Sequence, residues 1–393
     1  MNILQVSKFY PPVMGGIESV AYELTQGLNR LGLQTDVLCC NTIQTTVRER
    51  EHAGERDHAI TRAASWGKLL STSLAPALIA EARRVRSDYD VVHVQMPDPM
   101  AALALWFARP TGKVVLHWQS DVVNQKRALV LYEPIQRWLL ERADAIIATT
   151  PPYAEASPWL RAYRHKVEII PIGISELAHT ASSARADTIR QRFGGKKLVF
   201  SLGRMTYYKG FEVLIEAAAM LPDDSVMVVG GGGELLEIHR AEVRARGLEG
   251  RIHFLGRLPD EDIASYFAAC EVFCLPSIVR AEAYGVVLLE AMAMGKPSVA
   301  TDIEGSGVPW VNQHGVTGLN VPVRDGCALA GALRELLGND ALARGMGRAA
   351  RSRFDEHFSA VRMVSATADL YRRITAATTT APTRVAGPSS PAR

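Results

Sequence analysis

Residues 272–297, with the sequence VFCLPSIVRAEAYGVVLLEAMAMGKP, decide the fold of this chain. The apolar run Val272–Leu275 predicts a short buried strand. The run Val286–Met294 predicts a helix that ends at Gly295 and Pro297, since both residue types terminate helices. Because this helix is apolar almost all round, we expect it to be buried. The stretch therefore predicts a strand and a helix joined by a loop, with the helix inside the protein.

Two carboxylates stand in this stretch. Glu290 is the only charged residue of the predicted helix, and burying it without a partner would cost several kcal/mol or make it take up a proton. Glu282 lies eight residues earlier in the loop, and Gly285 lets another backbone or a ligand come close at the helix start. Since carboxylates bind hydroxyls and a helix N-terminus binds phosphate, the stretch predicts a sugar nucleotide as ligand. The alternative is a core helix whose Glu290 pairs with an arginine from elsewhere in the chain.

The spacing Glu282-x7-Glu290, opened by the residues EAYG at 282–285, resembles the signature of retaining glycosyltransferases of family 4. The resemblance implies an α/β architecture, the GT-B fold, in which two Rossmann-like, doubly wound domains face a central cleft. In that family the first Glu contacts hydroxyls of the donor sugar and the second contacts the ribose. These roles would fall on Glu282 and Glu290. The backbone at the helix start would meet the diphosphate, through Tyr284, Gly285 and Val286.

The loop Gly203–Gly210 is also informative, because it follows a predicted strand and opens a predicted helix. Its cations, Arg204 and Lys209, lie near a helix start, where positive charge opposes the helix dipole. An anion bound between them would remove this conflict, whereas two solvated surface cations are the alternative. The family carries a matching Arg and Lys that hold the donor diphosphate and stabilise the leaving group. The resemblance assigns those roles to Arg204 and Lys209, with Gly203 in the same donor-binding loop.

The N-terminal half contributes two further candidates. A strand, the Gly15-Gly16 turn and a helix follow one another, a geometry that lets a phosphate or a sugar approach the carboxyl edge of a parallel sheet. The family has a matching Gly-Gly loop close to the donor phosphate and the acceptor. His117 stands where a predicted strand ends. A lone histidine there is more often structural, but in the family a histidine at this place contacts the donor sugar.

The sequence from His117 through Asn124–Arg127 to Trp138–Ile146 resembles bacterial mannosyl- and rhamnosyltransferases of polysaccharide assembly. This resemblance favours a guanosine-linked donor, GDP-mannose or GDP-rhamnose. The enzyme would move the hexose, with retention, onto a glycan or a polyprenyl-diphosphate-linked oligosaccharide. Its two loop cations would stabilise the developing charge electrostatically. Alternatives are a non-catalytic nucleotide-sugar sensor on the same fold, and a nucleotide-sugar epimerase or hydrolase.

The sequence predicts no metal site and no cofactor besides the donor. The motif DYD at 88–90 resembles the metal-binding DxD of the other main glycosyltransferase fold, but it runs straight into the apolar stretch Val91–Val94 and therefore indicates a turn at the start of a strand. Gly230–Gly233 lacks the third glycine of a dinucleotide fingerprint, since Leu235 stands at that place. The five cysteines have no metal-binding spacing, and we expect reduced core thiols of a cytoplasmic protein.

Predicted strands and helices alternate along the chain, which argues for doubly wound α/β domains. The resemblance extends to about Ile374 and implies a last helix that crosses back to the first domain. We expect an N-terminal acceptor-side domain at 1–175, a linker at 176–195, a C-terminal nucleotide-sugar-binding domain at 196–360, the returning helix at 361–376 and a disordered tail at 377–393.

The composition of the chain limits the classes of partner that it is expected to bind. With 393 residues, of which 48% are apolar and 22% charged, the chain is large enough for two cores. A net charge of +3 gives no case for a nucleic-acid partner. No stretch approaches the ~20 apolar residues that span a membrane, so we expect any membrane contact to be peripheral, at the inner face. Trp66–Arg86 and Pro158–Lys166 mix aromatic and basic residues, which suits an anionic membrane surface.

Overall fold

The computed structural model of the chain describes residues 1–13, 15–54, 56–69, 72–121, 126–176 and 181–379. Within these ranges the chain forms two α/β domains, each built on a mainly parallel sheet that helices cover on both faces. The predicted fold class is therefore confirmed. No helix in the described ranges is long and apolar enough to cross a membrane.

The first domain alternates strands and helices. In chain order its elements are β1 (Asn2–Ser7), α1 (Gly16–Arg30), β2 (Gln34–Cys40), β3 (Val47–Ala53), β4 (Arg56–Ala63), β5 (Lys68–Leu69), β6 (Thr72–Ser73), α2 (Pro76–Arg84), β7 (Val91–Met96), α3 (Pro99–Ala108), β8 (Lys113–Trp118), α4 (Lys126–Arg142), β9 (Ala145–Ala148), α5 (Pro151–Ala156), a 3-10 helix (Arg161–Lys166) and β10 (Val167–Ile169). Its main sheet has the order β10-β9-β8-β7-β1-β2-β4-β3, and every neighbouring pair except β3 and β4 is parallel.

The second domain follows the same plan. Its elements are α6 (Ser183–Arg192), β11 (Lys197–Leu202), a 3-10 turn (Tyr207–Lys209), α7 (Phe211–Ala218), β12 (Ser225–Gly230), α8 (Leu236–Ala245), β13 (Ile252–Gly256), α9 (Asp260–Ala269), β14 (Val272–Leu275), α10 (Val286–Ala293), β15 (Ser298–Thr301), α11 (Val308–Val311), β16 (Gly318–Val321), α12 (Gly326–Gly338), α13 (Asp340–Arg353) and a π-helical turn (Phe354–Phe358). The last helix that the structure describes is α14 (Ala360–Thr379). Its sheet has the order β13-β12-β11-β14-β15-β16, with parallel pairing throughout.

The central strands β1, β7 and β8 of the first domain are buried on both faces. Ile3 and Val91 belong to the core under α1, whereas Leu4 and Val92 belong to the core that α2 and α3 cover. Two covered faces explain why these strands are continuous apolar runs rather than alternating ones. Because β1, β7 and β8 are parallel, the loops after them share one edge of the sheet, where sites in such folds form.

Helix α14 returns to the first domain, as predicted. It packs on α1 so closely that a Cβ on Gly27 would lie 2.4 Å from Cγ2 of Val364. In the same interface Nδ1 of His93 and the hydroxyl of Tyr371 lie 2.5 Å apart. The helix is therefore an integral part of the first domain although it is last in the sequence.

Two chain segments cross between the domains side by side. The amide of Ile174 donates to the carbonyl of Phe358 at 3.0 Å, and the amide of Ala360 donates to the carbonyl of Ile174 at 2.9 Å. A Cβ on Gly173 would lie 2.3 Å from the carbonyl oxygen of Ser359, so only glycine allows this approach. The two crossings form one hydrogen-bonded connection.

The segment predicted as a linker, 176–195, contains helix α6. Ala186 and Ile189 of this helix are buried, and α6 packs on α9, where Arg185 and Asp262 form an ion pair at 2.8 Å. This part of the segment therefore belongs to the body of the second domain. The sequence does not predict this helix because only these few apolar residues face the core, so the segment has no clear helical period. Of the tail predicted to be disordered, residues 380–393 lie outside the described residues, and α14 runs to Thr379.

The strands β3 and β4 form an antiparallel ribbon at the sheet edge that the sequence did not predict. β3 has the sequence VREREHA, in which charged residues leave no apolar alternation to recognise.

The DYD motif at 88–90 stands directly before β7, as predicted, and the Asp90 carboxylate accepts a hydrogen bond from the amide of Asn2 at 2.8 Å.

Candidate active site

The loop between β14 and α10 carries the first predicted carboxylate. Glu282 is nearly buried, and its Oε2 accepts a hydrogen bond from Oγ of Ser277 at 2.8 Å. The same oxygen lies 2.5 Å from Nζ of Lys209, which comes from the loop after β11. The structure therefore brings the carboxylate loop and the predicted cation loop into direct contact.

The start of α10 is shaped by Gly285. This residue has a φ of 77°, and a Cβ on it would lie 3.0 Å from side-chain carbons of Leu275 and Leu288, so both the conformation and the packing favour glycine. The neighbouring Tyr284 turns its buried side chain away from the helix start, and its hydroxyl donates to the carbonyl of Ile172 at 3.0 Å. The hydrogen bond of the Tyr284 side chain thus fixes the backbone from Tyr284 to Val286 to Ile172, which lies just before the segment that connects the domains.

Glu290 lies one turn into α10, and its Oε2 is buried without a hydrogen-bond partner among the described residues. Burial raises the pKa of this carboxyl to about 7, although nearby Lys209 counteracts the shift. None of the ion pairs among the described residues involves Glu290, so the alternative of an arginine partner is wrong for this part of the chain. An unpartnered carboxylate oxygen at this depth is available to a ligand hydroxyl.

Lys209 ends the 3-10 turn after β11 and is nearly buried. Its side chain lies over Gly203, where an added Cβ would come within 3.2 Å of the lysine Cε. Burial lowers the pKa of Lys209, but the Glu282 carboxylate beside it reverses the effect, so the pKa is raised above its ordinary value and the ammonium stays charged. The alternative interpretation of Lys209 as a solvated surface cation is therefore wrong. Arg204, five residues earlier, is exposed.

The first domain presents Glu18 opposite this loop. Glu18 stands in the first turn of α1, directly after Gly15-Gly16, and a Cβ on Gly15 would lie 2.5 Å from its carboxylate. Burial raises the pKa of Glu18, while the positive charges of Lys8, Lys68 and Arg204 lower it. Since Arg204 belongs to the second domain, the Gly-Gly turn and the cation loop face each other across the cleft.

His117 is not part of this assembly. Its ring is completely buried in the first domain, 5.4 Å from the ring of His93, and neither ring nitrogen has a hydrogen-bond partner among the described residues. Burial lowers the pKa of His117 to about 3, so the ring is neutral. The ring of His117 has no exposed surface in this arrangement, and its predicted contact with the donor sugar stays a prediction.

Polar side chains that the sequence analysis missed lie nearby. Gln119 follows β8, and its Nε2 donates to Oε1 of Gln95 at 2.6 Å, while Nε2 of Gln95 donates to Oε1 of Gln5 at 3.2 Å. Because every second residue of a strand lies on the same face of the sheet, this alternation was the sequence signal that could have placed the three glutamines together. Glu18 was missed because Arg204, whose charge acts on it, is remote in sequence. Ser277 was missed although its partner Glu282 lies only five residues later in the same loop.

The geometry defines what the site can bind. A buried ammonium beside an exposed guanidinium suits a diphosphate, and two carboxylates at the start of a helix suit hydroxyl groups. Among the described residues no three His, Cys, Asp or Glu side chains cluster as a protein-bound metal ion would require.

Comparison with known proteins agrees with this geometry. The family described as Glycosyltransferase Family 4 matches residues 14–176, and Glycosyl transferases group 1 matches residues 184–353. The chain is 34% identical to O-antigen chain mannosyltransferase C of Escherichia coli, covering 94% of this chain and 98% of that relative. It is 32% identical to D-rhamnosyltransferase WbpZ of Pseudomonas aeruginosa, covering 92% of this chain and 93% of that relative.

Solved structures resemble the chain along almost its whole length. Sucrose-phosphate synthase from Thermosynechococcus elongatus superposes with a TM-score of 0.78 at 23% identity, covering 96% of this chain and 99% of that one. HepE of Anabaena, solved in complex with UDP, superposes with a TM-score of 0.75 at 20% identity, covering 95% of this chain and 100% of that one. The two domains and the cleft between them define a glycosyltransferase of the GT-B architecture. Within that class, the chain belongs to glycosyltransferase family 4.

Proposed function

We propose that this glycosyltransferase is a retaining hexosyltransferase that moves mannose or rhamnose from a guanosine-linked donor during O-antigen or exopolysaccharide assembly. The acceptor is a glycan or a polyprenyl-diphosphate-linked oligosaccharide. Two relatives that match at 34% and 32% identity support the sugar and the pathway, since one is named a mannosyltransferase of the O-antigen chain and the other a D-rhamnosyltransferase. Both span nearly the whole chain.

The observation that carries the proposal is the contact of Lys209 with Glu282 at 2.5 Å, beside the unpartnered oxygen of Glu290. In the donor complex Glu282 binds hydroxyls of the sugar and Glu290 binds the ribose. Lys209 and Arg204 contact the diphosphate from the other side. One small region thus offers partners for the sugar hydroxyls, the ribose and the diphosphate of a sugar nucleotide.

The reaction exchanges one bond at the anomeric carbon for another. The bond from the sugar C1 to the β-phosphate oxygen breaks, and the acceptor oxygen bonds to C1 on the same face. The proton of the acceptor hydroxyl passes to the departing phosphate oxygen, so no protein base is required. As negative charge grows on that phosphate, Lys209 and Arg204 stabilise it electrostatically without a metal ion.

Peripheral membrane contact is the remaining part of the proposal, because a lipid-linked acceptor lies at the inner leaflet. The hairpin β5–β6 exposes 68% of Trp66 and 42% of Leu74, whose backbones are hydrogen-bonded to each other. Nζ of Lys68, in the same hairpin, lies 4.6 Å from the ring centroid of Phe9 in the loop after β1. Apolar and cationic groups at one edge of the cleft suit an anionic headgroup region.

The other stretches considered for membrane contact are used inside the domain. Leu78 of α2 and Leu160 before the 3-10 helix are fully buried. Nζ of Lys166 donates to the carbonyls of Leu140 and Glu141. We therefore restrict the proposed membrane surface to the described hairpin residues, 66–69 and 72–74.

The activity test incubates the protein with single nucleotide sugars and a lipid-linked oligosaccharide, and determines the anomeric configuration of the product by NMR. We expect transfer with retention from a guanosine-linked hexose. Donor binding without turnover would indicate the sensor alternative, and release or conversion of the sugar without acceptor would indicate a hydrolase or epimerase. A faster reaction with uridine-linked donors would overturn the assigned base.

A further inference from the structure

We propose that Arg280 and Asp121 form an interdomain latch that sets the position of the donor-binding loop relative to the acceptor-side domain. Nη2 of Arg280, in the loop between β14 and α10, lies 2.7 Å from Oδ2 of Asp121, which follows β8 in the first domain. The two side chains are only 25% and 6% exposed. Both act as positioning residues, since neither belongs to the groups assigned to the donor.

The guanidinium of Arg280 is held on three sides. Its Nε donates to the carbonyl of Gly305 at 3.0 Å, and its Cζ lies 4.6 Å from the ring centroid of Tyr153 in the first domain. Gly305 has a φ of 69°, and a Cβ on it would lie 2.8 Å from Cβ of Ala156. The planar cation therefore fits a slot whose walls come from both domains, a use to which arginine is suited by its flat, delocalised charge.

The carboxylate of Asp121 is equally constrained. Its Oδ1 accepts hydrogen bonds from Nε1 of Trp118 and from Oγ of Ser157, both at 2.8 Å. The amide of Asp121 donates to the hydroxyl of Tyr153 at 2.5 Å. These contacts all lie inside the first domain and leave Oδ2 directed at Arg280. Hydrogen bonds within the first domain thus fix the orientation of the Asp121 carboxylate in which it pairs with a cation of the second domain.

The latch is connected to the site through the backbone. Glu282 lies two residues after Arg280, and its carbonyl accepts a hydrogen bond from the hydroxyl of Ser306. The amide of Gly307 donates to the carbonyl of Ala283 at 2.8 Å. The carboxylate loop and the segment at 305–307 are therefore joined by hydrogen bonds, and engaging the latch places the Glu282 carboxylate at a defined distance from the first domain.

The consequence concerns the transfer step rather than donor affinity. The side chains assigned to the nucleotide, Arg204, Lys209 and Glu290, lie in the second domain, whereas the acceptor has to be placed by the first. Releasing the latch leaves donor binding intact but misplaces the sugar relative to the acceptor hydroxyl, and a misplacement of this kind costs on the order of 10²-fold in rate. The kinetic part of this inference rests on the proposed transferase function, whereas the domain arrangement can be tested without it.

The structural test measures the distance between the domains by double electron–electron resonance. Spin labels go on Arg137→Cys in the first domain and Glu237→Cys in the second, two well-exposed positions, in a Cys327→Ser background. The four other cysteines are buried. We expect Arg280→Gln and Asp121→Asn each to lengthen or broaden the distance distribution, and the double variant to resemble either single variant. The milder Arg280→Lys serves if Arg280→Gln folds poorly.

The matched control is the ion pair Arg185–Asp262, which lies within the second domain at 2.8 Å. Its neutralisation by Arg185→Gln and Asp262→Asn is expected to leave the distance distribution unchanged. Distances that are unchanged in both latch variants, or that change equally in the control, would overturn the latch even if the enzyme proves to be no transferase.

The kinetic test applies the same variants to the transfer reaction. We expect kcat to fall by about 10²-fold in Arg280→Gln and in Asp121→Asn. Nucleotide affinity, measured by calorimetry, should stay within about threefold, because the pair shares no partner with the nucleotide groups. Independent, multiplicative losses in the double variant would contradict a single joint latch. Absence of turnover in the wild type would instead refute the proposed function and leave the distance measurement to decide.

Discussion

Nζ of Lys209 lies 2.5 Å from Oε2 of Glu282, and this contact joins two loops whose residues are 73 positions apart in sequence. Both side chains are 11% exposed. In the absence of donor they neutralise each other, which keeps two charges inside the cleft without the cost of leaving either one buried alone. Under the proposed function, donor binding exchanges this internal partner for the diphosphate on one side and the sugar hydroxyls on the other.

We expect Arg204→Ala and Lys209→Ala each to lower kcat by ~10²-fold or more, because each removes a donor to the transition-state charge. Their effects on stability should differ. Arg204 is exposed, so its loss should leave the melting temperature unchanged. Loss of Lys209 leaves the Glu282 carboxylate buried without its partner and should lower the melting temperature.

Single-turnover kinetics with differential scanning calorimetry check both statements. The control is Lys209→Ala combined with Glu282→Gln, which removes the stranded charge and should recover melting temperature but not activity. Turnover like that of the wild type in both single variants would remove Arg204 and Lys209 from the mechanism.

Glu290→Gln should weaken nucleotide binding more than it weakens the fold, since glutamine keeps the shape but loses the charge. The pKa of Glu290 rises from its ordinary 4.5 to about 7 on folding. The folded protein therefore binds more protons than the unfolded one between these values, and stability falls as pH rises through that window. The shift corresponds to about 3 kcal/mol.

Replacing Glu290 by glutamine should remove this decline. The melting temperature of Glu290→Gln relative to the wild type is expected to be higher at pH 8 than at pH 5. Thermal melts at several pH values test this, with Glu282→Gln as the comparison. A large drop in melting temperature together with unchanged donor affinity would point to a purely structural carboxylate.

We expect full activity in the presence of a chelator. In the proposed mechanism, Lys209 and Arg204 supply positive charge where other glycosyltransferases use a divalent cation, so we expect the diphosphate to need no metal. The measurement is the transfer rate after extensive treatment with EDTA, and again after addition of Mg²⁺ or Mn²⁺. Activity that is lost with EDTA and restored by either ion would contradict the proposed mechanism.

The hairpin at 66–74 should bind anionic vesicles. In co-sedimentation we expect Trp66→Ser with Leu74→Ser to abolish most binding, because both side chains are exposed apolar groups. Lys68→Gln should weaken binding by ~1 kcal/mol and reduce its salt dependence. Ile238→Ser, which removes an exposed apolar side chain from the second domain, is the control. Vesicle binding that does not depend on lipid charge and salt, or that persists in the double variant, would contradict the proposed membrane surface.

Much of the fold follows from local sequence. The apolar strand β14, the helix α10 and the positive φ of Gly285 between them are consequences of residue type, since they depend on apolar runs, helix termination and the freedom of glycine. The family signature Glu282-x7-Glu290 likewise stands on one loop and one helix. The ribbon β3–β4 and helix α6 escaped prediction, because charged strands and helices with few apolar residues carry no clear period.

The partners of the site residues were decided by tertiary structure alone. Sequence places Lys209 at a helix start but does not indicate that Glu282 neutralises it, nor that Asp121 meets Arg280 159 positions later. His117 illustrates the same limit, since its position at a strand end is visible in the sequence, whereas its complete burial depends on how the rest of the chain packs around it. Local propensity and periodicity act over a few residues. Which remote groups share a low-dielectric interior, and therefore which charges pair and which pKa values shift, is set only when two sheets and the returning helix α14 pack together.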